Sequence, residues 1–164
     1  MKVLVFHIGP DRYALRLPLV ARVLPAASLK AVPLAPGYVA GLLDLHGEPV
    51  PVIDLSRLCG VAPEQVWFDT RIILVHYLVH YQAPDTGAGG WKDTSIRTLG
   101  LLAEHVIGID TIDEGGLVDA GVAGAPFLGQ VAGAEGGLLQ LVELDQLLSP
   151  DVRAQLFPAR EAVP

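Results

Sequence analysis

The chain has 164 residues, 51% of them hydrophobic, and a formal net charge of -7 at pH 7. This acidic balance argues against a partner recognised through a phosphate backbone, because Lys and Arg cluster no more than on an ordinary solvated surface. Cys59 is the single cysteine, which excludes an intrachain disulfide framework and a zinc site built from thiolates. The 18 glycines and 13 prolines interrupt apolar runs and predict many short strands and turns.

No segment is typical of export or of a membrane span. Met1 leads within one residue into an apolar run that lacks the cleavage site of a signal peptide. The longest apolar window, residues 117–134, contains Asp119, Pro126 and Gln130 among its glycines, whereas a spanning helix needs about 20 apolar residues. We therefore expect a cytoplasmic protein in a reducing compartment.

Strand-like runs and turn signals alternate from the N-terminus. Residues 3–8 predict a strand, the Gly-Pro-Asp sequence that follows predicts a turn, and residues 12–17 predict the returning strand. An apolar pattern resumes at residues 19–24 and ends at Pro25. The N-terminal quarter therefore begins with a hairpin.

Residues 41–58, GLLDLHGEPVPVIDLSRL, predict a second hairpin followed by a helical turn. Gly47 adopts positive φ at no steric cost and marks the tip of this hairpin. Asp54 follows the second arm and can accept from free backbone N–H groups as the N-cap of the helical turn. Pro51 lies inside that arm, which predicts an edge strand, a bulge or a strand start.

Residues 71–81, RIILVHYLVHY, form the strongest strand pattern, and the polar, Gly-rich residues 82–95 predict a long mobile hairpin loop. Four further segments predict strands, at residues 96–102, 106–112, 127–132 and 138–142, and residues 143–148 predict a helical turn. Ser149 predicts the N-cap of a C-terminal helix, which with the tail occupies residues 149–164.

The two halves of the sequence resemble each other. Residues 50–58 align with residues 139–147 at an offset of 89, which matches Asp54 to Glu143 at the same junction between an apolar run and an acid. Further upstream, Val20 meets Val106 at an offset of 86. Five short strands in each half predict a small closed barrel, repeated.

Tyr13-Ala14-Leu15 likewise meets Leu99-Gly100-Leu101 at the offset of 86, and residues 3–6 correspond roughly to residues 72–75. Glycines at or near matched junctions are assigned as structural turn positions. They are Gly41, Gly47, Gly100 and Gly136.

The order of these segments, above all LVFHIGPDRYALRL, VPLAPGYVAGLLDLHGEPVPVIDL and RTLGLLAEHVIGI, resembles the CheW-like chemotaxis coupling proteins from Val3 to about Leu148. The resemblance implies an all-β fold of two intertwined five-stranded Src-homology-3-like β-barrels, with short helical turns and a C-terminal helix. It implies one domain over residues 1–164, whose barrel subdomains, at roughly 15–70 and 71–148, interleave by strand exchange.

The resemblance also implies a function by binding, with no catalytic activity and no cofactor. Members of the family bridge the cytoplasmic tip of a methyl-accepting chemoreceptor and the regulatory domain of a CheA-type histidine kinase, in arrays on the inner face of the membrane. Two alternatives stay within this fold: an accessory adaptor that binds receptors without activating the kinase, and a self-associating structural barrel protein. A third is a small β-barrel enzyme or ligand-binding domain with a site near Asp44, His46 and His105.

Four residues are assigned to receptor binding by the resemblance. Val20 matches an apolar position of the receptor-binding groove, and Val23 continues the apolar contact. Arg22 falls where such adaptors often have an acid, and His46 falls where the family usually has an arginine. From the residues alone, Arg22 is better explained as a solvated strand residue, and His46 is equally an exposed turn histidine.

No constellation predicts catalysis or metal binding. Asp44 and Asp54 are better explained as an outward strand residue and an N-cap than as an acid–base pair, which needs a cleft and perturbed pKa values. His76 and His80 would lie roughly 13 Å apart on a strand, too far to hold one metal ion. The expected catalytic and metal-binding sets are therefore empty.

Overall fold

A computed structural model of the protein describes residues 1–61, 68–82, 92–119, 125–134 and 137–158. Within these ranges the chain forms ten β-strands and two short α-helices. The strands are β1 (Lys2–Ile8), β2 (Asp11–Arg16), β3 (Val20–Pro25), β4 (Val39–Leu45), β5 (Glu48–Asp54), β6 (Arg71–Gln82), β7 (Lys92–Ala103), β8 (His105–Thr111), β9 (Leu128–Ala134) and β10 (Gly137–Val142). The helices are α1 (Leu55–Leu58) and α2 (Pro150–Leu156).

The strands form two five-stranded sheets. The first sheet has the strand order β8-β1-β2-β10-β9, and the second has the order β3-β6-β7-β5-β4. Within each sheet, one pair is parallel, β2 with β10 and β5 with β7, and the other pairs are antiparallel. The predicted all-β class with two five-stranded units is confirmed.

Each half of the chain contributes to both sheets. The first half places β1 and β2 in the first sheet and β3 to β5 in the second, while the second half places β6 and β7 in the second sheet and β8 to β10 in the first. Neither half therefore completes a sheet from its own strands. The subdomain boundaries at roughly 15–70 and 71–148 stay a prediction, because pairing of strands does not by itself define subdomains.

The strand registers reproduce the offsets read from the sequence. In the first sheet Ala14 lies opposite Leu141, and in the second sheet Gly100 lies opposite Val52. These two pairs are related by the offsets of 86 and 89. The bulges correspond as well. The pairing of β3 with β6 skips Ala21, and the pairing of β8 with β1 skips Ile107, which is 86 positions later. The two halves of the chain therefore share strand registers and bulges as well as sequence.

Burial on both faces explains the continuous apolar runs. On β1, Leu4 and Phe6 belong to a large central cluster to which both sheets and α2 contribute, whereas Val3 and Val5 belong to a smaller cluster of the first sheet. The second sheet has an equivalent small cluster, made of Leu43, Val50, Val52, Ile72 and Leu74. A strand covered on both faces reads as apolar throughout rather than alternating.

Two caps fix the short helices. The Asp54 carboxylate accepts from the backbone N–H groups of Ser56 and Arg57 at the start of α1. The Ser149 hydroxyl accepts from the backbone N–H of Val152 at the start of α2. Because each cap satisfies N–H groups that the helix itself leaves unpaired, these polar residues determine where the helices begin.

The glycines assigned to turns differ in place. Gly47 occupies the tip of the β4–β5 hairpin with φ of 88°, whereas Gly41 and Gly100 lie within strands β4 and β7. A Cβ on Gly41 would stand 2.6 Å from the carbonyl oxygen of Lys30, so this glycine permits close approach of two backbones. Gly136 lies outside the described residues.

The hairpin of β6 and β7 is longer than the sequence predicts. Its ladder extends to the pair of Gln82 with Lys92, so the ends of the predicted loop at residues 82–95 are strand. The middle of that loop lies outside the described residues. Pro51 is in an interior strand, but β5 pairs with β7 only from Val52 onwards, so the segment up to Pro51 has a strand neighbour on one side.

Candidate functional site

Strand β3 is one edge of the second sheet and carries three of the four residues assigned to binding. It pairs with β6 alone, and a bulge at Ala21 shifts the register between Val20 and Arg22. In a regular strand, residues three apart point to opposite faces. Because the bulge adds one residue, Val20 and Val23 lie on the same face.

That face is the side of the central cluster. Val20 lies opposite Val75 and Val23 opposite Ile73, and both of these partners are buried in the central cluster. Val20 is half-buried against the cluster, while Val23 is 39% exposed. The edge therefore presents an apolar rim where the core between the sheets reaches solvent.

Arg22 points to the other face of the same edge. It lies opposite Leu74, which belongs to the small cluster of the second sheet. Its side chain is exposed, and among the described parts of the chain it forms no ion pair. A partner that straddles the edge of β3 would thus meet apolar side chains on one side and a guanidinium on the other.

His46 occupies the tip of the β4–β5 hairpin, at the opposite end of the strand order. Leu45 pairs with Glu48, and the two residues between them, His46 and Gly47, have φ values of 52° and 88°, the geometry of a type I′ turn. The backbone N–H of Gly47 donates to the Asp44 carboxylate over 2.7 Å and holds the turn. Two strands, β6 and β7, separate this hairpin from β3 in the sheet order, so the structure does not join His46 to the Arg22 rim through strand pairing.

Sequence reasoning missed a long-range ion pair beside the β9–β10 hairpin. Glu143 occupies the position equivalent to Asp54, but its side chain caps no helix. Both carboxylate oxygens instead lie 3.0 Å from Nη1 of Arg16, across 127 residues of sequence. No local pattern signals this contact, because it depends on the exchange that brings β2 beside β10.

A second polar contact joins the loop before β6 to the start of β8. The Nδ1 atom of His105 lies 2.6 Å from the Asp69 carboxylate, and this hydrogen bond lowers the pKa of Asp69 below its ordinary value. His7 stacks edge-on against the His105 ring, with ring centroids 6.4 Å apart. Strand pairing does not bring together the residues of the alternative site, Asp44, His46 and His105. Asp44 and His46 belong to the β4–β5 hairpin of the second sheet, whereas His105 lies on an edge strand of the first sheet.

The geometry of the described residues supports neither acid–base catalysis, nor a nucleophilic thiol, nor a metal site. Burial raises the pKa of Asp54, but both of its described backbone contacts cap α1. Burial also raises the pKa of the Cys59 thiol, which makes it a poor nucleophile at neutral pH. Across the described ranges, no three His, Cys, Asp or Glu side chains cluster as metal ligands would.

A cleft of about 640 Å³ lies beside the start of α2. Tyr38 and Phe127, which are equivalent at the offset of 89, both line it. The carbonyl oxygen of Tyr38 accepts from the backbone N–H of Asp54, and that of Phe127 accepts from the backbone N–H of Glu143. Arg153 closes one side and donates from Nε to the Tyr77 hydroxyl. The cleft therefore marks the pseudo-symmetric junction of the two repeats, and α2 covers part of it.

Comparisons with known proteins agree with this architecture. Residues 2–151 match the family model described as CheW-like domain. The chain is 24% identical to the chemotaxis protein CheW of Bacillus subtilis over 157 residues, covering 96% of this chain and 92% of that protein. It is 31% identical over 72 residues to the chemotaxis protein CheW of Helicobacter pylori, covering 44% of each.

The fold also matches a solved structure. The scaffolding protein TtCheW from Thermoanaerobacter tengcongensis superposes with a TM-score of 0.74 at 23% identity, covering 92% of this chain and 94% of that one. This likeness supports the two intertwined Src-homology-3-like barrels that the family resemblance implies. Among the described residues, no helix has the length and apolar character needed to cross a bilayer.

Proposed function

Because the chain belongs to the CheW-like domain family, we propose that it is a non-enzymatic scaffold that couples methyl-accepting chemoreceptors to a CheA-type histidine kinase. The observation that carries the proposal is the family match over residues 2–151, nearly the whole chain. The relatives named chemotaxis protein and the structural neighbour named scaffolding protein support the same role. Such a protein works at receptor arrays on the cytoplasmic face of the membrane.

The mechanism of such a scaffold is binding. The apolar rim of Val20 and Val23 supplies contact area for the receptor tip. Arg22 supplies positive charge on the other face of β3, and His46 supplies an imidazole at the tip of the β4–β5 hairpin. The contact needs no rearrangement of the fold, because β3 is already an exposed edge. The kinase takes a separate surface, so that both partners are held at once.

The test is capture of two partners from the same cell: a cytoplasmic receptor fragment and the regulatory domain of the kinase. Arg22→Glu reverses one charge at the rim, and Lys2→Glu makes the same change at an exposed position on β1. His46→Asn removes the imidazole while keeping a residue that tolerates positive φ, and His46→Ala adds strain to the turn. His76→Ala removes an exposed imidazole from β6 as the matched control.

Capture of both partners by the unchanged chain, with receptor capture reduced in Arg22→Glu and His46→Asn and retained in the two controls, is the expected result. Receptor capture without kinase capture identifies an accessory adaptor. Failure to capture either partner refutes the proposal. If the chain instead sediments as a concentration-dependent oligomer and captures neither, it is a self-associating barrel protein.

A further inference from the structure

Charge is segregated along this acidic chain. Residues 12–43 contain four cationic side chains and no acid, whereas residues 98–152 contain nine acids and neither Lys nor Arg. The edge strand β3 lies in the cationic segment, and its neighbour β6 begins with Arg71 and contains no acid. Strands β3 and β6 thus carry arginines and no acid, on a molecule of net charge -7.

The cations of this segment are not equivalent. Arg16 is neutralised by Glu143, while Arg22 and Lys30 are exposed and form no ion pair within the described ranges. Of these two, Arg22 stands on the edge strand itself, with Ala21 and Val23 as its exposed apolar neighbours. An exposed guanidinium without an acid of its own, flanked by apolar side chains, is suited to a carboxylate supplied from outside.

We infer that the receptor segment bound at β3 carries a carboxylate that pairs with Arg22, next to apolar side chains that pack on Val20 and Val23. This inference rests on the proposed function and adds the chemistry of the partner. Arg22 is the residue that selects among receptors, because a segment with a Lys or Arg at the same place would meet a like charge. His46, at the other edge, acts independently of this selection.

The duplicated fold supplies an internal comparison. At the equivalent edge of the first sheet, β8 has the same bulge and an exposed Ile109 where β3 has Val23. The position equivalent to Arg22 is Gly108, which has no side chain. A guanidinium at this position therefore belongs to the β3 edge and not to the β8 edge, and Ile109→Ala is a control for a change at an equivalent edge.

The experiment measures the affinity of the whole chain for the receptor cytoplasmic fragment at several NaCl concentrations. The variants are Arg22→Lys, Arg22→Gln and Arg22→Glu, with Lys2→Gln and Ile109→Ala as controls. We expect Kd to rise about 5- to 10-fold for Gln and more than about 10-fold for Glu, and to change by about twofold or less for Lys. We also expect the salt dependence of Kd to be weaker in Arg22→Gln than in the unchanged chain.

Replacement of each acid of the receptor tip by Lys identifies the partner. One such receptor variant should restore binding to Arg22→Glu while losing affinity for the unchanged chain. Equal Kd values for the unchanged chain and all three Arg22 variants overturn the inference and leave the proposed function standing. Absence of receptor binding by the unchanged chain overturns the proposed function, and the inference with it. Thermal unfolding confirms that each exposed-site variant is folded.

Discussion

Gly100 is closely packed between two side chains of the second sheet, and an added methyl group there tests how rigidly the sheet is packed. A Cβ on Gly100 would stand 2.9 Å from Cγ2 of Val52 and 3.2 Å from Cγ2 of Ile72. Both neighbours are fully buried and β-branched, so neither methyl group has a free rotamer to move into. We expect Gly100→Ala to lower the free energy of unfolding by about 1–3 kcal/mol through overpacking.

The first sheet shows how the same position accommodates a methyl group. Ala14, equivalent to Gly100, is fully buried opposite Leu141, which is equivalent to Val52. Leucine branches one carbon further from the backbone than valine and leaves space beside its Cβ. We therefore expect Val52→Leu combined with Gly100→Ala to cost less than the sum of the two single changes, with a coupling of about 1 kcal/mol or more.

Urea unfolding followed by circular dichroism measures these differences. Gly133→Ala is the matched control, because its Cβ would meet no atom within 4 Å and its backbone has ordinary φ. That change should alter stability by no more than about 1 kcal/mol, towards higher stability. A Gly100→Ala variant whose free energy of unfolding lies within about 0.5 kcal/mol of that of the unchanged chain would refute this expectation. Such a result would mean that Val52 and Ile72 move aside to accommodate the methyl group.

Changes at three further positions test local features. Asp54→Ala removes the cap of α1 and should lower unfolding free energy by about 1 kcal/mol in urea, whereas Asp54→Asn, which keeps an acceptor, should cost less. Gly47→Ala places a Cβ at φ of 88° and should lower the melting temperature, a loss absent from a control at Gly133. The hydrogen bond from His105 lowers the pKa of Asp69, so this pair stabilises the fold at pH values above the ordinary Asp pKa. The stabilisation is lost as pH falls through the lowered pKa. When unfolding free energy is measured against pH, His105→Gln should therefore make its fall at acidic pH less steep.

The parts of this fold that the sequence predicts are those that local chemistry decides. The hairpin tip follows from Gly47, which alone removes the steric cost of positive φ, and the start of α1 follows from the hydrogen-bonding needs of its first N–H groups at Asp54. Ser149 locates the start of α2 for the same reason. The offsets of 86 and 89 also predict one long-range feature. Because the sequence is duplicated, the register of one parallel strand pair predicts that of the other.

What the sequence could not predict depends on neighbours distant along the chain. Gly41 and Gly100 read as turn residues, yet they are strand residues kept small by the backbone of Lys30 and the side chain of Val52. The pair of Arg16 with Glu143 requires the exchange of strands between the sheets, which no local pattern records. For the candidate site, the pattern located β3 but not its bulge, which decides that Val20 and Val23 share a face and that Arg22 does not.

The duplication also bears on how a symmetric fold distinguishes partners. Strands β3 and β8 occupy equivalent edges, carry equivalent bulges and expose equivalent apolar side chains towards the central cluster, Val23 and Ile109. Backbone geometry therefore offers a partner two nearly identical edges. The difference lies in side chains: Arg22 in an acid-free segment at one edge, and Gly108 in a segment without Lys or Arg at the other. Since opposite charge favours one partner and repels another, we expect the charges at each edge, rather than the fold, to distinguish between partners.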